Sequence, residues 1–264
     1  MGVDENGRLR VDDLAAALRD DTILVSLMHA NNETGTLQPV RQAAALVHQR
    51  GALLHCDAAQ SVGKVGVDVS DLGVYLLTLS GHKLYAPKGV GALYVRRTKP
   101  ALNVHPLLLG GGHESGLRSG TPNLPGAAGL ACAVEIAVDA LEAEGHQIAE
   151  LRDRLEASVV GNLENCTING EPDHRLPGTT NLSFAGVEGN ALLASLPDLA
   201  VSSGSACTSS HSEASPVLLA MGVAPSLARA SLRLSVGRFT TSDDVDRAAQ
   251  RIVEEVQRLR SLRR

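Results

Sequence analysis

Aromatic side chains are nearly missing from this chain: Phe, Tyr and Trp make up 2% of 264 residues, and Trp is absent. The core must therefore be aliphatic and alanine-rich, with many small contacts. Cysteine is also scarce. Cys56, Cys132, Cys166 and Cys207 are widely spaced and form no CxxC pair, which excludes both a disulfide framework and a zinc site and leaves no metal expected. A reducing cytoplasm is the expected location. No apolar run approaches the ~20 residues of a membrane span. The opening MGVDENGRLR lacks the apolar core of a signal peptide and has Asn, not Ser or Thr, at position 6, so it fails the myristoylation pattern. With a net charge of −5 and no basic run except Arg258, Arg260, Arg263 and Arg264, nucleic acid is not the expected partner. That tail reads as the solvated end of a last helix, where positive charge complements the helix dipole.

Lysine is rare too. Of 24 basic residues, four are lysines (Lys64, Lys83, Lys88, Lys99) and the other 20 are arginines. Arginine carries charge equally well but cannot give up its proton, so it cannot serve as a nucleophilic amine. A lysine kept against that bias invites a chemical reading. Lys83 sits in LSGHKLYAPKG, between a histidine and a glycine-punctuated turn. For any single lysine, a solvated loop charge is the ordinary explanation, and the surroundings must overturn it.

The chain is long enough for one large domain or two ordinary ones, and 44% hydrophobic with 20% charged residues is a normal globular mix. Val11 to Leu18 reads as a short helix. Thr22 to His29, Ala52 to Cys56, Tyr75 to Leu79 and Val90 to Val95 read as apolar strands. Pro39 opens a helix over 40–49. Apolar strands alternating with helices predict an α/β architecture with a largely parallel sheet covered on both faces. Ligands of such sheets sit at the carboxyl ends of strands. The polar groups Asn31 and Asn32, Asp57 and Gln60, and Ser80 to Lys83 follow three of these strands. Helices are predicted near 125–143 and 146–160, with a domain boundary between residues 141 and 142. Residues 142–264 then form a smaller α+β domain, with strands at 180–184, 200–202 and 231–236, a helix near 188–196, a polar loop at 203–215 and a long helix from Ser242.

Asp57 ends a strand in HCDAAQS. It could cap a turn through Ala58 and Ala59, or act as a buried anion holding a proton on a pyridine nitrogen. Pyridoxal phosphate (PLP) enzymes need such an acid together with an amine, and Asp57 and Lys83 supply that pair. A metal reading of His55, Cys56 and Asp57 is weak, because adjacent strand residues face opposite sides. Cys207 lies among small polar residues in SGSACTSSHSEAS, a setting for a reactive thiol, whereas Cys132 and Cys166 read as core residues. In SLRLSVGR, alternation separates Leu232, Leu234 and Val236 from Ser231, Arg233 and Ser235. Arg233 is then either an anion binder or half of a structural salt bridge.

The segments SLMHANNETG, HCDAAQSVGK, SGHKLYAPKGVGALYVRR, GGGHESGLRSGTPN, SSGSACTSS and LRLSVGRFTT, in this order, resemble the cysteine desulfurases of the NifS/IscS type, in the class V aminotransferase superfamily of fold type I PLP enzymes. The resemblance runs nearly end to end. It implies that Lys83 holds PLP as a Schiff base, Asp57 pairs with the ring nitrogen, and Gln60 bonds the ring hydroxyl. Ser80 and His82 would bind the phosphate. Thr121 would reach the phosphate of a neighbouring subunit, which implies a homodimer. Asn32 and Arg233 would hold the carboxylate of L-cysteine, and Cys207 would be the nucleophile that becomes a persulfide and delivers sulfur to an acceptor or iron–sulfur scaffold protein. The long Cys207 segment favours the group with this carrier role. The chain departs from the family at its start. A Gly-Ala-Thr-Glu-like phosphate-binding turn and a ring-stacking histidine have no counterpart, so residues 1–141 are expected to be a truncated large domain whose sheet misses strands and exposes apolar surface. A selenocysteine lyase, which LLAMGVAPSLARASLRLSVGR also resembles, and a non-catalytic fragment are the alternatives.

Overall fold

The computed structural model describes residues 1–203 and 214–262. In chain order the elements are α1 (Val11–Ala17), β1 (Leu24–Met28), α2 (Val40–Gln49), β2 (Leu53–Asp57), β3 (Leu76–Ser80), β4 (Gly91–Val95), α3 (Leu124–Asp139), α4 (Leu141–Asn162), β5 (Cys166–Asn169), β6 (Thr179–Phe184), α5 (Gly189–Ala194), α6 (Pro216–Ala220), α7 (Pro225–Arg229), β7 (Ser231–Ser235) and α8 (Ser242–Ser261).

The chain divides into two compact units. One contains Leu18–His29 and Val40–Asp139, the other Met1–Ala17, Ala30–Pro39 and Ala140–Arg264. The sequence reading put a single boundary between 141 and 142. The division falls at 139/140, and two N-terminal segments join the C-terminal half.

The first unit is built on the sheet β1-β2-β3-β4, in which β1–β2 and β2–β3 pair in parallel and β3–β4 antiparallel. The α/β, mostly parallel expectation holds. One face carries Val25, Leu54, Cys56 and Leu77, all buried. Helix α2 packs against β2 and buries Val40, Ala43, Ala44 and Val47 at helical spacing. The expected cover on both faces is not what this unit shows. The register sets Leu24, Ser26 and Met28 beside Leu53, His55 and Asp57, then Leu76, Thr78 and Ser80, then Val95, Leu93 and Gly91. Leu24 is 46%, Met28 41% and Leu93 49% exposed on that side. The polar members Ser26, His55, Asp57, Thr78 and Ser80 explain why this face is not a continuous apolar core.

The second unit has the antiparallel sheet β5-β6-β7. Its core gathers Leu182 and Phe184 of β6, Leu232 and Leu234 of β7, Leu151, Leu155 and Val159 of α4, and Val245, Ala249, Ile252 and Val256 of α8. Helix α8 opens on a capping box: the Thr241 hydroxyl accepts from the Asp244 N–H, and the Asp244 carboxylate accepts from the Thr241 N–H. The predicted strand at 200–202 reduces to one bridge between Ser202 and Arg233.

Candidate functional site

In the first unit, β2 and β3 end side by side, with Asp57 in register with Thr78. Asp57 and Ser80 share one face of the sheet. After Ser80 the chain makes one 3-10 turn, Gly81–Lys83. Gly81 is obligatory there: a Cβ would stand 2.9 Å from Val90 Cγ1 and 3.0 Å from the Val90 carbonyl oxygen, while the Gly81 N–H donates to that same oxygen. Beyond the turn, Leu84 and Ala86 are buried against Leu130 and Ala133 of α3, which pins the segment at its far end. Lys83 and His82 are held on a short, doubly anchored turn with both side chains exposed. Ser80 Oγ and His82 Nδ1 lie 3.0 Å apart, a hydroxyl and an imidazole that could bind one anion together.

Asp57 is exposed, not the buried anion of one reading, because it is the last residue of β2 and lies on the open face. Its Oδ1 accepts from the Ala59 N–H at 3.0 Å, so the turn-capping reading is realised. Gln60 is partly buried, and its Oε1 accepts from Lys64 Nζ at 3.5 Å. Nearby, His29 is buried with Nδ1 2.9 Å from Ser61 Oγ, and burial holds the imidazole below its ordinary pKa. Cys56, on the opposite face from Asp57, is fully buried, and burial, with the Asp57 charge, pushes its thiol up to about 12. Thr121 lies exposed in the glycine-rich segment before α3, its carbonyl accepting from Arg118. Cys132, read from sequence as core, is exposed on α3, on the same helix face as the exposed Glu135 and Asp139 three and seven residues further on.

Asn31 and Asn32 follow β1 but belong to the second unit. There the ANNETG stretch folds into a tight turn. Asn31 Oδ1 accepts from the N–H groups of Glu33 (2.8 Å) and Thr34 (3.0 Å), and Gly35 takes a φ of +79°. The Asn181 side chain of β6 donates to the Glu33 carbonyl at 3.4 Å, and Asn169 Nδ2 in turn donates to Asn181 Oδ1 at 2.7 Å. Arg233 of β7 pairs with Asn181 in the sheet register. Its Nη1 donates to the Asn32 carbonyl at 3.2 Å, and its backbone N–H donates to the Ser202 carbonyl at 2.7 Å. Asn32 and Arg233, named separately from sequence, are therefore neighbours. Glu33, Asn181 and Ser215, which tie this group together, escaped the sequence reading. Only the position of Glu33 beside the Asn pair hinted at it. Cys207 lies outside the described residues. No group of three or more His, Cys, Asp or Glu suited to a metal occurs among the described residues, and no single described helix is long and apolar enough to cross a membrane.

Comparison with known proteins adds to this geometry. Residues 1–248 match the aminotransferase class-V family. A cysteine desulfurase IscS of Anaeromyxobacter sp. (strain Fw109-5) is 50% identical over 99% of this chain and 65% of its own length. The cysteine desulfurase of Homo sapiens is 45% identical over 99% of this chain and 57% of its own. The chain thus spans less than two thirds of the length of these relatives. Among solved structures, a NifS-like protein superposes with a TM-score of 0.88 at 34% identity, covering 98% of this chain and 67% of that one. SspA in complex with cysteine superposes with a TM-score of 0.74 at 33% identity, covering 91% and 66%.

Proposed function

The chain belongs to the aminotransferase class-V family, and from that premise we propose that it acts with pyridoxal 5'-phosphate to convert L-cysteine to L-alanine, passing the sulfur to Cys207 as a persulfide. The observation that carries this reading is the anchored Ser80–Lys83 turn at the carboxyl end of β3, on a strand paired with the one that ends in Asp57. An amine, a carboxylate and a hydroxyl–imidazole pair at one sheet edge fit the cofactor's aldehyde, ring nitrogen and phosphate. The relatives named as cysteine desulfurases, and the neighbour bound to cysteine, support the choice of substrate.

When bound, the cofactor supplies an electron sink for the substrate Cα. The chain's own residues do the rest. Lys83 would hold the cofactor through its amine and would move the substrate Cα proton as a general base. Asp57 would keep a proton on the ring nitrogen, and Gln60 would hydrogen-bond the ring hydroxyl. Ser80 and His82 would bind the phosphate. Thr121 would reach the phosphate held by a second copy, which implies a homodimer. Arg233 and Asn32 hold the substrate carboxylate, for which a guanidinium fork is suited. Cys207, as thiolate, attacks the substrate sulfur: the S–S bond forms as the Cβ–S bond breaks, and the bonding pair passes to Cβ, which takes up a proton to become the alanine methyl. The persulfide then passes sulfur to an acceptor protein for iron–sulfur or thio-cofactor assembly in the cytoplasm.

The test is an alanine-formation assay on the PLP-loaded protein with L-cysteine. The reading expects alanine from the unmodified protein, none from Cys207→Ala, and a persulfide mapped to Cys207. Alanine formed at an unchanged rate by Cys207→Ala would contradict it.

A further inference from the structure

We propose that Glu33 is a positioning residue for Arg233, fixing the guanidinium that, on the reading above, holds the substrate carboxylate. Glu33 is only 4% exposed, and a carboxylate at such depth persists only with partners. Its Oε2 accepts from the Ser215 hydroxyl at 2.6 Å. Burial raises its pKa, and the Ser215 bond and, less strongly, the Arg233 charge acting through space oppose that rise.

The backbone around it is held as tightly. The Glu33 N–H donates to Asn31 Oδ1, and the Glu33 carbonyl accepts from Asn181, the residue opposite Arg233 in the sheet. The Arg233 guanidinium donates to the Asn32 carbonyl, on the peptide that leads into Glu33. A shift of Glu33 therefore moves the carbonyl that Arg233 grips and, with it, a nearby carboxylate whose charge Arg233 feels.

The simpler alternative is that Glu33 serves only α6. Ser215 caps that helix by accepting from the Leu218 N–H at 3.2 Å, and needs somewhere to send its own proton. A neutral glutamine oxygen would meet that need equally well. Only a role toward Arg233 requires the charge.

Glu33→Gln separates the two. In the PLP-loaded enzyme it should raise KM for L-cysteine about tenfold, the scale of a lost charge-assisted contact, with kcat nearly unchanged. In nitrogen-edited NMR of the chain without substrate, the Arg233 Nε–H signal should shift and broaden. Glu33→Asp, which keeps the charge, should recover part of the KM and of the signal, and serves if Glu33→Gln folds poorly. Ser215→Ala should lower thermal stability and leave the Arg233 signal in place. If Arg233→Ala raises KM while Glu33→Gln changes neither KM nor the Arg233 signal, the positioning role is overturned and the carboxylate reading stands. If Arg233→Ala leaves KM unchanged, the carboxylate reading itself fails.

Discussion

Cys56 and Asp57 are consecutive on β2 and face opposite sides of the sheet, the thiol completely buried and the carboxylate exposed on the open face. The two should respond differently to substitution. Asp57→Asn is expected to cut cysteine turnover by roughly a hundredfold or more, the scale of a lost proton-holding group, and to leave folding intact. Cys56→Ser should leave turnover per folded molecule near normal and cost about 1–3 kcal/mol of stability by burying a hydroxyl. Urea unfolding alongside the alanine assay checks both. Equal turnover losses would mean that the two side chains share a role.

The thiols should react in a fixed order. Burial pushes Cys166 up to about 11, against the opposing charge of Arg260, and holds Cys56 at about 12. Cys132 is exposed. Alkylation at neutral pH with mass mapping should modify Cys132 well before Cys166, and Cys56 only on unfolding, because the thiolate is the reacting form. Early labelling of Cys56 in the folded protein would contradict the burial of β2.

A buried ion network should matter more to stability than an exposed one. Arg175 makes a two-pronged contact with Glu156, Nη1 to Oε1 at 2.5 Å and Nη2 to Oε2 at 2.9 Å, and Glu156 is 6% exposed. Removing the carboxylate by Glu156→Ala leaves buried guanidinium charge behind, at a cost of about 3–5 kcal/mol. Arg154 and Asp246 form an equally two-pronged pair in solvent, and Asp246→Ala should change stability little. Comparable shifts in the urea midpoint of the two variants would contradict this ordering.

Glu33 should carry a stability cost that grows with pH. Burial raises its pKa, and the Ser215 hydrogen bond and then the Arg233 charge oppose that rise only in part. The folded state therefore holds the proton more tightly than the unfolded chain. The group's contribution is fully present below the ordinary carboxylate range and is lost as pH rises through the raised folded value. Glu33→Gln cannot titrate, so its melting temperature relative to the unmodified protein should climb over that window. A constant difference from acid to neutral pH would show that Glu33 does not titrate there.

Much of the fold is legible in the sequence because it is local. The apolar runs gave strands within one or two residues of β1, β2, β3 and β4, and Pro39 marked the start of α2 at Val40. The failures share a cause in non-local packing. Helices predicted near 125–143 and 146–160 leave a gap at 144–145, yet α4 runs through it from Leu141 to Asn162, since packing against α8 outweighs the ~1 kcal/mol that a helical glycine such as Gly145 costs. Strand β5 is too polar to announce itself, and Asn169 finds its partners across the sheet, in Asn181 and Ser183 of β6. Helices α6 and α7 are single turns behind Pro216 and Pro225, too short to form without the fold around them. At the candidate site, Lys83 and Asp57 could be found from the strand ends. That Asn32 lies against Arg233, 201 residues away in sequence, could not be read from spacing.

On the proposed function Lys83 is the amine that carries the cofactor, and a single labelling experiment tests this. The protein is incubated with pyridoxal 5'-phosphate, reduced with borohydride, digested and mapped by mass. The pyridoxyl label is predicted on Lys83, and Lys83→Ala should abolish it while Lys88→Ala leaves it intact. A label on Lys88 or Lys64, with Lys83 unmodified, would contradict the account.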